Sequence, residues 1–124
     1  MGYHVVDPDD LEPEPDRPSE MRYVSKAAGM ERMGVRTYTV RPGEEIPLSG
    51  MHYHDEQEEV FFVRSGTLSV ETPDELYTVE SGQFFVAEPG SPHRAHVADD
   101  AGEPASVLGL GAPPVSDGHS YEGE

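Results

Sequence analysis

Apolar and polar residues alternate in short runs along most of this chain, and turn residues separate the runs. Runs of about five residues rich in Val, Phe, Tyr and Thr, with turn signals roughly every 8–12 residues, are typical of an all-β sandwich or barrel. No helical period of useful length is present. We predict strands at 21–24, 35–40, 59–64, 67–71, 76–80, 83–87, 93–97 and 106–110, with one helical turn within 26–32.

The two ends of the chain differ from its centre in composition. Residues 7–20 are acidic and rich in proline, which blocks a regular helix or a central strand. A length of 124 residues is typical of one domain. We therefore expect residues 1–32 to form an arm that packs on the domain or on a partner subunit. Residues 33–111 would form the β domain, and residues 112–124, with Pro113 and Pro114, a C-terminal tail.

Charge and cysteine content narrow the function classes. Asp and Glu total 25 against 8 Lys and Arg, a formal net charge of −17, and the acids are spread along the whole chain. This distribution favours adaptation to concentrated salt in a halophile over a single basic partner. Nucleic acid is not expected as a partner because a basic footprint is missing. The chain has no cysteine, so a metal would have nitrogen and oxygen ligands.

The chain also lacks the patterns that direct proteins to membranes. No apolar run has the length that a membrane span requires, so no membrane partner is predicted. The N-terminus lacks the basic start and apolar run of a secretory signal, and we expect a cytoplasmic protein.

The candidate chemistry lies in a histidine pair and the residues that follow it. His52 and His54 are two residues apart in an extended segment, so their side chains share one face, with Cα atoms roughly 6.5–7 Å apart. Both imidazoles can therefore bind one metal ion. Glu59 would add an oxygen ligand and His93 a third nitrogen. The sequence thus predicts a metal site without indicating which reaction it performs.

Two motifs in the chain resemble those of the cupin family, in its small single-domain form. In the first motif, Glu59 follows the His52–His54 pair after four residues and Gly66 follows after six more. The second motif runs from Gly82 through a turn to His93. Within it, Pro89 and Gly90 match the family, while Glu88 stands where the first proline usually falls.

The resemblance covers roughly residues 33–111 and implies a jelly-roll, or double-stranded β-helix, barrel with a metal inside its mouth. It also implies a homodimer, since small cupins commonly pair through barrel edge strands. The implied ligands are His52, His54, Glu59 and His93. Candidate residues of the pocket wall are Tyr38, Met51, Phe61, Phe84 and Phe85.

Several acidic and histidine residues compete for the ligand roles. Glu58 is the alternative carboxylate, although the interval to Gly66 and the alternation along the strand favour Glu59. His93 has the alternative of a surface histidine after a turn. His96 lies three residues beyond it and would point to the opposite strand face, so we expect a non-ligand. His4 and His119 lie in the terminal segments and are expected to be solvated.

The predicted ligand set suits one divalent transition metal, namely Fe, Mn, Ni, Co or Zn, and leaves positions for water or substrate. The acidic residues beside the histidines favour protons as well as metal, so we expect occupancy to fall below a pH of roughly 6. The resemblance implies a metal-dependent enzyme, dioxygenase-like or isomerase-like, that acts on a small molecule. The alternatives are a non-catalytic module that binds or senses a small molecule and a structural barrel with vestigial histidines. Arg36, Arg64 and Arg94 are the only basic residues expected in the barrel, which disfavours highly anionic substrates.

Overall fold

The computed structural model describes residues 2–48 and 50–122, and this part of the chain is built almost entirely from antiparallel strands. A 3-10 turn at Pro8–Asp10 is followed by one short helix and ten strands in the described residues. In chain order they are β1 Glu20–Tyr23, α1 Val24–Ala28, β2 Gly34–Val40, β3 His52–His54, β4 Glu58–Ser65, β5 Thr67–Glu71, β6 Leu76–Glu80, β7 Phe84–Ala87, β8 Arg94–His96, β9 Ala105–Ala112 and β10 Gly118–Ser120. The predicted all-β jelly-roll fold is confirmed.

The strands form three antiparallel sheets around one core. The main sheet has the order β1-β2-β9-β4-β7, a second sheet has the order β6-β5-β8, and β10 pairs with β3. Strand β4 shows why these residues form strands. Glu59, Phe61 and Val63 are buried, while Val60 and Phe62 between them are only half-buried, because successive side chains point to opposite faces. The core contains Met21, Tyr38, Val40, Ile46, Phe61, Val63, Leu68, Val70, Val79, Ala95, Val97, Ala105 and Val107.

The structure differs from the sequence-based expectation at the single helix. The predicted helical turn lay within residues 26–32, whereas α1 begins at Val24 directly after β1 and ends before Gly29. Gly29 has a φ of 67°, in the left-handed region that glycine adopts without a Cβ clash, and this residue ends the helix. At five residues, α1 is also far too short to cross a bilayer, and the described residues contain no helix that could do so.

The C-terminal segment contributes more structure than a tail. Strand β9 extends to Ala112, two residues beyond the predicted end, and β10 then pairs with β3. Residues 123 and 124 of the expected tail lie outside the described residues. Strand β10 has three residues, and its partner lies more than sixty positions away in the chain, so no local pattern indicates it. This pairing places the C-terminal segment against the predicted histidine pair.

The turn from β4 to β5 depends on Gly66. Its φ is 78°, and a Cβ at this position would overlap the Pro104 carbonyl oxygen and lie 2.7 Å from Ala105 Cα. Both neighbours are backbone atoms, so side-chain rotation relieves neither contact. We expect Gly66→Ala to lower the free energy of unfolding by about 2 kcal/mol, from left-handed strain plus overlap.

Urea denaturation measures this loss, and Gly82 offers a matched control. Gly82 has a φ of 87° but nothing within 4 Å of the added Cβ. Gly82→Ala therefore carries the strain without the overlap and should lose less stability. Equal losses in the two variants would contradict the role assigned to the Pro104 and Ala105 backbone.

Candidate metal centre

Two backbone hydrogen bonds hold the first and last predicted ligands side by side. The His52 N–H donates to the His93 carbonyl at 3.1 Å, and the His93 N–H donates to the His52 carbonyl at 2.9 Å. This β-bridge lies outside the longer strand pairings. The two imidazole centroids are 4.8 Å apart as a result. Strands distant in sequence are thereby fixed at the point where the ligands must meet.

The structure brings all four predicted side chains to one place. Donor atoms of His52, Glu59 and His93 lie within 4.8 Å of one another. Glu59 Oε1 is 2.7 Å from His93 Nε2 and 3.7 Å from His54 Nε2. Glu59 and His93 are only 8% and 2% exposed, so these two side chains are screened from bulk water.

The outer ring nitrogen of each histidine contacts an oxygen atom. His52 Nδ1 is 3.3 Å from the Gly50 carbonyl, and His93 Nδ1 is 2.8 Å from the Ser91 carbonyl. His54 Nδ1 is 3.1 Å from Asp117 Oδ1. Because a carbonyl or carboxylate only accepts, each Nδ1 carries the proton and donates it. With Nδ1 as the donor in each ring, Nε2 is the nitrogen left to bind a metal, the arrangement that metal-binding histidines commonly have.

One atom of the cluster lacks a hydrogen-bond partner in the described part of the chain. His54 Nε2 is buried and has none, and its 3.7 Å separation from Glu59 is too long for a hydrogen bond. Buried polar atoms are almost always partnered, so this nitrogen indicates a missing group. A divalent cation would satisfy it. The donor atoms of His52, Glu59 and His93 therefore lie close enough to fit one metal ion, and His54 Nε2 beside Glu59 is the candidate for a further ligand.

The electrostatics of the metal-free site follow from burial and from these contacts. Burial alone would raise the pKa of Glu59, but the adjacent imidazoles of His54 and His93 outweigh burial and lower the pKa to about 2. The Glu59 carboxylate raises the pKa of His54, whereas burial lowers the pKa of His52. Glu59 is thus an anion throughout the neutral pH range, and an anionic oxygen is a suitable ligand for a metal cation.

The alternative ligands lie outside the cluster. Glu58 is exposed, because the pleat of β4 turns it away from the buried Glu59. His96 lies apart from the ligand group, with Nδ1 3.5 Å from the Arg94 carbonyl, and His4 is exposed. His119 is also exposed, but its Nε2 lies 2.7 Å from Asp55 Oδ2.

Asp117 is a site residue that the sequence did not reveal. One of its carboxylate oxygens accepts the His54 Nδ1 proton, and the other accepts the N–H groups of Glu56 at 2.6 Å and Gln57 at 3.0 Å. Burial raises the pKa of Asp117, but these donors outweigh burial and lower it. Asp117 thus fixes the ring of His54 and the loop between β3 and β4. Its only sequence signal is an acid in a segment rich in glycine and proline.

The side chains of the candidate metal site line a cavity of about 240 Å³. Tyr38 and Phe61 also line it, as predicted. Phe85 packs against the core with its ring centroid 6.1 Å from that of His93, outside the cavity lining. Met51 is likewise absent from the lining, and Phe84 is 63% exposed on the outer face of the main sheet, so its prediction as a wall residue is wrong.

Comparisons with known proteins agree with this fold. The model of the Cupin domain family matches residues 36–110, more than half of the chain. No curated protein is similar enough to this chain to count as a match.

Several solved structures share the fold. A sugar phosphate isomerase of the cupin superfamily from Silicibacter pomeroyi is 21% identical, with 96% of this chain and 82% of that chain covered and a TM-score of 0.77. The polyketide cyclase RemF from Streptomyces resistomycificus is 21% identical over 93% and 84%, with a TM-score of 0.73. KdgF from Halomonas sp. is 19% identical over 94% and 97%, with a TM-score of 0.71. Because the family model matches more than half of the chain and the structure has this architecture, the chain belongs to the cupin family.

Proposed function

We propose that this protein is a metal-dependent enzyme that acts on a small molecule, with one divalent transition metal held by His52, His54, Glu59 and His93. The observation that carries the proposal is the common orientation of the three imidazoles. Each Nδ1 is occupied by a protein oxygen. Donor atoms of His52 and His93 lie within 4.8 Å of each other and of the buried Glu59 carboxylate, and His54 Nε2 lies 3.7 Å from Glu59 Oε1. Such convergence at a cavity is the arrangement that a catalytic ion requires.

Four protein ligands leave coordination positions open toward the cavity for a substrate oxygen. When bound, an ion of the Fe, Mn, Ni, Co or Zn type supplies Lewis-acid polarisation of a carbonyl or activation of dioxygen. The chain itself orients the ligands and lines the cavity with the rings of Tyr38 and Phe61. Two of the similar structures are enzymes by name, a polyketide cyclase and a sugar phosphate isomerase, which supports turnover of a small molecule.

Metal analysis of protein purified without an affinity tag tests the site. We expect one transition metal per chain in the wild type and only traces in His54→Ala. This variant lacks the buried Nε2 atom, which has no partner among the described residues and which we assign to the ion. His96→Ala is the matched control and should retain the metal. Traces of metal in a folded wild type would contradict the proposal.

Turnover is tested with the same three proteins. Oxygen uptake and proton exchange would be followed on catechols, diketones and sugars. Activity that disappears in His54→Ala and persists in His96→Ala supports an enzyme. A compound that raises the melting temperature of the loaded wild type without any turnover would instead identify a non-catalytic binding module.

We also propose that the protein is a homodimer that pairs through the outer face of the main sheet. In the strand register Val60 lies beside Val86, and Phe62 lies beside Phe84. On its other side, β4 continues this apolar surface through Leu108 and Leu110 of β9. Phe84 and Val86 are 63% and 55% exposed, and the other four are half-buried. A second copy of the same face would cover this surface.

Equilibrium sedimentation tests the dimer. The measurement should be made in about 1 M salt, because electrostatic repulsion between chains of net charge −17 is then screened within about 3 Å. We expect the mass of two chains for the wild type and of one chain for Phe84→Glu, since the two-fold contact would bury the new charge twice. Val5→Glu, at a fully exposed apolar residue, is the control and should stay dimeric. A wild-type monomer would reject the proposal.

A further inference from the structure

Two arginines line the cavity of the metal centre. Arg36 lies on β2, and Arg17 comes from the N-terminal segment, where the sequence did not anticipate a pocket residue. Within residues 2–48 and 50–122, neither guanidinium is within ion-pair distance of a carboxylate. By contrast, Arg22, Arg41 and Arg94 each pair with one or two acids. Arg32 and Arg64 also lack an ion pair, but both are exposed to solvent, whereas the two cavity arginines are half-buried without a protein anion among the described residues.

The donor groups of these two arginines are also incompletely used. The Nε atoms of Arg17 and Arg36 are buried and have no hydrogen-bond partner in the described residues. Arg22 shares an unpartnered Nε, but its terminal nitrogens contact Asp9 and Glu20. Buried guanidinium donors without acceptors are costly, so both side chains have hydrogen-bonding capacity that the described protein atoms do not use.

Arg36 is held in place by a tyrosine. Its Nη2 donates to the Tyr23 hydroxyl at 3.2 Å, and its Cζ lies 4.9 Å from the centroid of the Tyr23 ring. Stacking and hydrogen bonding of this kind reduce the conformational freedom that the guanidinium would lose on binding a ligand. Arg36 is therefore preorganised at the cavity wall.

The charge of the cavity opposes the charge of the protein. Of the side chains that line it in the described structure, Glu59 has the single carboxylate, against two guanidinium groups and the proposed divalent ion. The cavity is thus positive within a chain of net charge −17. Positive groups on the lining of a cavity favour a small anionic ligand.

We infer that the substrate is a small carboxylic acid, whose carboxylate binds Arg17 and Arg36 while a second oxygen reaches the metal. The inference rests on the proposed function. The planar fork of a guanidinium matches a carboxylate with two parallel hydrogen bonds. A guanidinium pairs with phosphate as well, so inorganic phosphate is the competing anion that the test must include. The volume of about 240 Å³ also restricts the ligand to a small acid.

Titration of protein loaded with Co(II), after measurement of its metal content, tests the inference. The probes are acetate, malonate, succinate and pyruvate, their methyl esters, and inorganic phosphate, in chloride-free buffer. We expect at least one acid to bind and its ester to fail. Arg17→Met should weaken that acid by roughly 10- to 100-fold, the loss of a charge-assisted contact. Arg32→Met, at an exposed arginine outside the cavity, should bind as the wild type does.

The outcomes separate this inference from the metal proposal. A protein that takes up no Co(II) contradicts the metal site, while titration of the metal-free protein still measures the arginine contribution. Equal affinity of wild type and Arg17→Met for the acid would overturn the inference. Three other results would also overturn the inference. Phosphate could bind more tightly than every acid, or the esters could bind as well as the acids. The acids could also fail to bind both the Co(II)-loaded and the metal-free protein. Arg36→Met is a second variant, expected to weaken the same acid.

Discussion

Replacement of His93 by alanine is expected to abolish stoichiometric metal binding. The loss of metal affinity should exceed about 100-fold, the upper end for loss of a residue that only hydrogen-bonds to a metal ligand. His93 is the most buried of the proposed ligands, at 2% exposed. The Ser91 carbonyl and the bridge to His52 fix both the ring and the backbone of this residue. His119 also lines the cavity, but its Nε2 contacts Asp55 Oδ2 at 2.7 Å.

The measurement is a competition titration of Co(II) against a chelator, with the visible absorption of the bound ion as readout. His96→Ala is the control, because His96 is a half-buried histidine three residues away on the same segment and is not in the cluster. Circular dichroism and urea denaturation of both variants separate metal loss from unfolding. Wild-type affinity in a folded His93→Ala protein would remove this residue from the ligand set.

The fold could be predicted because its signals are local. In β5 the buried Leu68 and Val70 alternate with polar residues, so the burial pattern is visible in the sequence. Strand β4 is instead indicated by its run of Val and Phe. Turn glycines mark the strand ends, and Gly66 and Gly82 both have positive φ in the structure. The helix was misplaced because Val24, a β-branched residue, reads as the end of a strand, whereas α1 begins there.

The proximity of the candidate ligand residues could also be predicted, because strand geometry relates His52 to His54 and Glu59 to its exposed neighbour. The supporting residues could not. Asp117 meets His54 across 63 positions of sequence. Arg17 reaches the cavity from a proline-rich segment whose path is set by contacts with the barrel, among them the 2.8 Å hydrogen bond from the Glu14 N–H to the Met21 carbonyl. Such contacts depend on the tertiary fold and leave no periodic pattern.

Glu59 couples the stability of the metal-free protein to pH. Its pKa falls from an ordinary value of 4.5 to about 2 in the folded state. A carboxylate with a depressed folded pKa stabilises the fold above its unfolded pKa, and the contribution is lost as the pH falls from 4.5 toward 2. The raised pKa of His54 acts in the opposite direction. Its contribution is complete below about pH 6.5 and is lost as the pH rises through the raised value.

We therefore expect Glu59→Gln to destabilise the metal-free protein most between about pH 4.5 and 6.5, by about 3 kcal/mol, and least near pH 2. The amide of glutamine is neutral, so it cannot provide the charged hydrogen bond that His93 Nε2 makes at 2.7 Å. Urea denaturation at stepped pH, with a chelator and constant high salt, measures the difference.

Glu58→Gln is the matched control for this experiment. Glu58 is exposed on the adjacent position of β4, so its substitution removes the same charge without touching the cluster. Its unfolding free energy should keep the wild-type slope through the acid range, while the slope of Glu59→Gln is reduced. Parallel curves for the two variants would show that acid sensitivity comes from the general surplus of acids. A reduced slope in Glu59→Gln alone would assign it to the buried contacts of Glu59 with the imidazoles.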